Sequence, residues 1–171
     1  EDIVAHVIMA DPFCTNLSKI LSDIGEKHIP SGRQLHRKGT YLAMEGPAFS
    51  TRAESNLYRQ WGCSIIGMTN HTEARLAREA EIAYASLSMV TDYDCWNQTK
   101  EEVSVEMVIE NLKKNTEVAN KIIFETAKVI DINRPDSKAH QSLKDGLMTS
   151  KGKASREAHS KVRILTDKYW C

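Results

Sequence analysis

Apolar residues recur along this chain in two rhythms, and the switches between them mark the elements. Residues 3–9, Ile-Val-Ala-His-Val-Ile-Met, open it as a strand-like run. From Thr15 the rhythm becomes helical: Leu17, Ile20, Leu21 and Ile24 fall at i, i+3, i+4 and i+7, one apolar stripe that Thr15 caps and Gly25 ends. Pro30-Ser31-Gly32 reads as a turn, and residues 35–44 as a strand with a bend or bulge at Lys38-Gly39, closed by Gly46-Pro47. Thr51 and Glu54 have capping-box spacing, so a helix follows to about Trp61. Residues 63–68 and 82–90 are short apolar runs that suit fully buried strands, and between them Thr72 caps a helix over 73–80. A long helix is predicted from about Ser104 to Ile130, with Val105, Val108, Ile109, Leu112, Ala119, Ile122 and Ile123 on its apolar side, before Asn133 and Pro135 break it. Two helical segments, about 138–148 and 154–169, follow. Strands alternating with helices predict an α/β fold with a thin, largely buried sheet of three or four strands. In such folds ligands gather at the carboxyl ends of strands, which directs attention to the residues after Met44, Met68 and Val90.

Length and charge narrow the classes. With 171 residues, 41% of them hydrophobic, the chain is of one-domain size and able to bury a core. Lys and Arg number 23, as do Asp and Glu, so the net charge is zero, and no basic face offers itself to nucleic acid. The uncharged residues 82–91 are half the roughly 20 that a membrane helix needs, which argues against a membrane partner. Cys14, Cys63, Cys95 and Cys171 stand singly, without C-x-x-C or a histidine at metal-ligand spacing, and read as reduced thiols of a cytoplasmic protein rather than disulfides or a zinc site. No signal peptide is recognisable, and a chain that opens on Glu1 and runs at once into a strand reads as the interior of something longer.

Chemistry is sparse but localised. Asp92 and Asp94 follow the run 82–90 at i and i+2, which in an extended chain points both carboxylates to one face. Two readings fit: an Asx turn, cap or divalent-metal site, or a pair of acceptors for the donor-bearing edge of a ligand, one of them able to protonate a leaving group. Phe49, after Gly46-Pro47, could stack on a planar ring or simply fill a core under the loop. Gly67-Met68-Thr69 could present a hydroxyl and backbone N–H groups to an anion, or merely end a strand. His6 taken alone reads as a surface or interface histidine, and His28, His36, His140 and His159 receive no role.

A resemblance changes the weight of these residues. The run from Gly39-Thr40 through Glu45-Gly46-Pro47-Ala48-Phe49-Ser50-Thr51-Arg52-Ala53-Glu54 is followed by Trp61-Gly62, Gly67-Met68-Thr69, the helix-forming stretch 73–81 and Thr91-Asp92-Tyr93-Asp94-Cys95-Trp96. Together these motifs, with the stretch 103–109 and the tail around 140–148 and Tyr169, closely resemble the 5'-methylthioadenosine phosphorylase family, above all its bacterial branch. They come in order, near family spacing, over most of the chain. Thr72 and Ala83 depart from commoner family residues. Members are nearly twice this length, and the resemblance covers only their C-terminal portion. The glycine-rich phosphate loop and Arg-His pair of their first half have no counterpart here.

The resemblance implies a nucleoside-phosphorylase-like mixed sheet flanked by helices, with residues 1–171 as the C-terminal part of a single phosphorylase domain. It implies phosphorolysis of methylthioadenosine to adenine and 5-methylthioribose 1-phosphate, in purine and methionine salvage, with phosphate as co-substrate and no other cofactor. Asp92 matches the proton donor to N7 of the base, a position that is Asn in relatives acting on 6-oxopurines. Asp94 matches its partner near the 6-amino group. Phe49 matches the aromatic over the base, Met68 the residue lying along the ribose, Ile66 a further substrate contact, and Ser50 and Thr69 hydroxyl contacts to phosphate. His6 matches a histidine reaching a neighbouring subunit's methylthio pocket, which implies a homotrimer. The expected partners are therefore methylthioadenosine and phosphate, with further copies in a homotrimer, a chain carrying the absent half, or both. A non-catalytic, family-derived structural subunit and a purine-binding regulatory module are the competing readings.

Overall fold

A computed structural model describes residues 3–97 and 105–170. Seven regular elements occur there: α1 (Thr15–His28), β1 (Tyr41–Ala43), α2 (Arg52–Gln60), β2 (Ile65–Gly67), α3 (Asn70–Glu79), α4 (Val105–Asn133) and α5 (Arg156–Thr166), with short 3-10 turns at Lys138–Gln141, Lys151–Lys153 and Asp167–Tyr169. The chain divides into two compact units. Residues up to Leu17, with His71–Ala85 and everything from Pro135 onward, make the first; Ser18–Asn70 and Ser86–Arg134 make the second.

The second unit holds the sheet. β1 and β2 pair in parallel, with Tyr41 opposite Ile65, Leu42 opposite Ile66 and Ala43 opposite Gly67. Both strands are half-buried rather than fully buried. Only three residues of each run form a ladder, because a strand exists where its backbone groups find partners, not where its side chains are apolar. For the same reason residues 82–90 form no strand among the described residues, and the predicted sheet of three or four strands is a two-stranded one here.

The helices show where hydropathy misleads. α1 does not stop at Gly25 but runs on to His28; the leucine methyls of Leu35 would lie 3.2 Å from a Cβ at Gly25, so this glycine gives room for packing rather than ending a helix. α2 starts as predicted: the Thr51 N–H donates to Glu54 at 2.7 Å, and the Glu54 N–H to the Thr51 hydroxyl at 3.3 Å. α4 turns inward along Asn111, Asn115, Ala119, Ile122 and Thr126, while Ile109, Leu112 and Ile123 of the predicted apolar side are exposed. The predicted start at Ser104 and the side chains of Val105 and Val108 lie outside the described residues.

Helix α3, which from His71 onward belongs to the first unit, starts at Asn70, ahead of the predicted Thr72 cap. It ends in a Schellman motif: the Glu81 N–H donates to the Arg78 carbonyl at 3.1 Å and the Ile82 N–H to that of Ala77 at 2.8 Å. Glu81 takes the left-handed conformation, φ 59°, that usually falls to glycine. Its carboxylate accepts from the Leu143 N–H (3.0 Å) and the Tyr169 hydroxyl (2.6 Å) and pairs with Lys168. The predicted helix over 138–148 is only one 3-10 turn followed by irregular turns, and at its end the Gly146 carbonyl and the Met148 N–H bond to the chain start. The His6 N–H donates to the Gly146 carbonyl (2.7 Å) and the Met148 N–H to that of Val4 (2.9 Å), around an antiparallel bridge between Ala5 and Leu147. The opening run 3–9 is thus extended, alternating half-buried and exposed residues, with a single bridge in place of a strand. No described helix is long and apolar enough to cross a membrane.

Candidate active site

The carboxyl ends of β1 and β2 lie side by side, since the Met44 N–H continues the ladder to the Gly67 carbonyl at 2.8 Å. Beyond Met44 the chain turns at Gly46, whose φ is +69° and whose bond to Pro47 is cis. The positive φ is what favours glycine at the turn, and the bare Cα also leaves room for Met68, whose sulfur would lie 2.7 Å from a Cβ there. Ser50 sits beside this pair, its hydroxyl 3.5 Å from the Met44 sulfur. Phe49 projects from the same loop with 88% of its surface exposed; it is not a core residue under the loop. Ile66 is half-buried on β2 and Thr69 is exposed just past it.

Residues 91–97 carry the two carboxylates, and Asp94 and Cys95 bring this loop to the region. The Asp94 carboxylate accepts from the Ser55 hydroxyl at 2.5 Å through one oxygen and from the Cys95 N–H at 2.8 Å through the other. Ser55, on α2, is fully buried. The Cys95 thiol lies 3.5 Å from the Ser50 carbonyl, which brings the loop against the strand-end segment. Asp92 is exposed and accepts from the Thr91 hydroxyl at 2.6 Å. The Cys95 bond is a local cap, as the first reading of Asp94 expects; the Ser55 bond exceeds it, tying the carboxylate to a helix residue 39 positions away. Among the described residues no group of three or more His, Cys, Asp or Glu could hold a metal ion. Cys14, Cys63 and Cys95 are free thiols.

Two helices hold this loop, each through residues one turn apart. On α4, Asn111 donates to the Thr91 carbonyl (2.8 Å) and Asn115 to that of Val90 (3.0 Å); the Arg33 guanidinium donates to the Asn115 amide oxygen (3.1 Å), which turns its nitrogen toward Val90. On α2, Ser55 holds Asp94, and the Arg59 guanidinium lies 3.7 Å from the Trp96 ring centroid. None of these four residues is apolar, and so hydropathy gave them no weight. The signal available was an Asn pair at i and i+4, in line with Ala119 and Ile122 on one stripe of the helix.

Ser50, Met68 and Asp94 are therefore joined through direct neighbours in the second unit, with Phe49, Thr69, Ile66 and Asp92 on the segments that carry them. His6 belongs to the first unit, on the segment bridged to Leu147.

A family model described as the phosphorylase superfamily matches residues 1–128. The chain belongs to that superfamily. Over 170 residues it is 63% identical to the S-methyl-5'-thioadenosine phosphorylase of Prochlorococcus marinus, covering 99% of this chain and 54% of the relative. It is 43% identical over 167 residues to the enzyme of that name from Geobacter sulfurreducens, covering 98% and 57%. The crystal structure of a methylthioadenosine phosphorylase from an antarctic soil metagenomic library superposes with a TM-score of 0.90 at 44% identity, over 96% of this chain and 57% of that one. The Schistosoma mansoni methylthioadenosine phosphorylase in complex with adenine gives 0.71 at 30%, over 85% and 57%. This phosphorylase-superfamily chain thus spans about half the length of the curated relatives it matches, and the family resemblance of its motifs is borne out.

Proposed function

We propose that the chain is the C-terminal part of a single phosphorylase domain that cleaves the N-glycosidic bond of 5'-methylthioadenosine with phosphate, releasing adenine and 5-methylthioribose 1-phosphate. The observation that carries this reading is the Asp94 carboxylate, fixed by Ser55 and the Cys95 N–H beside Ser50, two residues from an exposed Asp92. It stands in a chain 63% identical to a protein named for that reaction.

The bond breaks through an oxocarbenium-like state in which negative charge grows on the purine. Asp92 donates a proton or a strong hydrogen bond to N7, and Asp94 accepts from the 6-amino group. An amino edge offers donors, which is why acceptors face it. Phe49 covers the base, Met68 and Ile66 lie along the substrate, and Ser50 and Thr69 contact phosphate. His6 completes a neighbouring subunit's methylthio pocket in a cytoplasmic homotrimer. Phosphate is the co-substrate, and no other cofactor takes part in purine and methionine salvage by this route.

The test uses this chain completed with the N-terminal portion of the Prochlorococcus marinus relative. Adenine release should depend on both methylthioadenosine and phosphate. Asp92→Asn keeps the shape and removes the transferable proton, so kcat should fall by about two to four orders of magnitude, with a relative shift toward 6-oxopurine nucleosides. Near-normal kcat with unchanged base preference would make the carboxylate pair a structural cap and sink the mechanism.

A further inference from the structure

Asp94 does not hold its orientation by itself. An aspartate on a surface loop normally samples several rotamers, and a base-recognising carboxylate that does so loses the advantage of being in place before the ligand arrives. Here both oxygens are already engaged, one by a hydroxyl and one by a backbone N–H, and both partners donate. The carboxylate is thereby presented as an acceptor, with its plane set and lone pairs left for a further donor. The Cys95 N–H is part of the loop and moves with it. Ser55 is not: it is fully buried in α2, in the first turn after the Thr51 cap. One turn later on the same face, Arg59 lies over Trp96, two residues beyond Asp94. α2 therefore registers the loop at two points.

We infer that Ser55 is a positioning residue that sets base specificity: by donating to Asp94 it holds this carboxylate as an oriented acceptor, and so favours a 6-amino over a 6-oxo purine. The inference rests on the reading of Asp94 as a base contact. A 6-oxo group brings a lone pair where Asp94 presents another, and the mismatch is costly only while the carboxylate cannot turn away. Without the Ser55 hydroxyl it can turn, and discrimination falls.

The experiment is a double-mutant cycle in the completed chain, measuring kcat/KM with methylthioadenosine and with methylthioinosine for the parent, Ser55→Ala, Asp94→Ala and both together. Ser55→Ala should lower the ratio of the two specificity constants roughly tenfold, chiefly through KM for the 6-amino substrate. In the Asp94→Ala background it should change that ratio by less than about twofold, because a residue acting through Asp94 has nothing left to act on. Should Ser55→Ala not fold, Ser55→Cys, close in size but a much weaker donor, takes its place. If Asp94→Ala leaves base preference untouched, the base-contact reading fails and this inference with it. If Asp94→Ala changes preference while Ser55→Ala leaves the ratio at the parent's value, or shifts it equally in both backgrounds, Ser55 is structural only and the inference alone is overturned.

Discussion

Single residues in this chain act less by what they carry than by what they leave room for. Gly146 shows it most sharply. A Cβ there would stand 2.8 Å from both the His6 and Ser142 carbonyl oxygens, backbone atoms that cannot swing aside as a side-chain tip would. Gly146→Ala must therefore open the bridge between the chain start and residues 146–148, at a cost of roughly 1–3 kcal/mol, the usual range for forced overpacking. Gly152, whose Cβ would meet nothing within 4 Å, supplies the control. Denaturant unfolding of the two alanine variants should separate them, and equal midpoints would show that the backbone at Gly146 yields freely. The same bridge holds the backbone of His6, so a loosened Gly146 variant would also free that candidate contact.

At the scale of elements, α3 ends against its own propensities. Glu81 adopts a backbone conformation that costs any residue but glycine, and its side chain offsets that cost. Burial alone would raise the Glu81 carboxyl, but the Lys168 ammonium, the Tyr169 hydroxyl and the Leu143 N–H outweigh it and hold the carboxyl below the ordinary value. Glu81 in turn raises the Lys168 ammonium above its ordinary value. A depressed carboxylate contributes stability that is complete above its unfolded value, about 4.3, and lost as pH falls through the folded one. A raised ammonium contributes stability that is complete below its unfolded value, about 10.4, and lost as pH rises through the folded one. The pair should thus give a plateau of stability across neutral pH with an acid edge below about pH 4.3. Glu81→Gln should lower the plateau and flatten the acid edge in urea unfolding followed against pH. An edge as steep as the parent's would assign it to other carboxylates.

On the scale of the whole molecule, large apolar side chains stand exposed among the described residues. Phe49, Ile132 and Ile164 are each at least 80% exposed, and residues 82–90, apolar in sequence, end in the exposed Met89 and Val90. They form no strand among the described residues. Such features invite pairing. The 171-residue chain alone should therefore associate in a concentration-dependent way by sedimentation and, spanning about half the length of its relatives, should release no adenine above a blank. A well-behaved monomer that turns over methylthioadenosine would overturn both expectations. Local sequence decided what depends on neighbours a turn away: the α1 stripe, the Thr51–Glu54 capping box, the glycine turn at Gly46, and the ordered motifs that marked the family. Hydropathy placed apolar runs at 3–9 and 82–90 but could not make them strands, since a strand is a property of two segments. Nor could it reveal that Asn111 and Asn115 face inward, that Glu81 occupies a glycine's place, or that Ser55 grips Asp94. Polar groups become buried when a specific partner meets them, and those partners lie 20 or more positions away, brought into reach only by the tertiary fold.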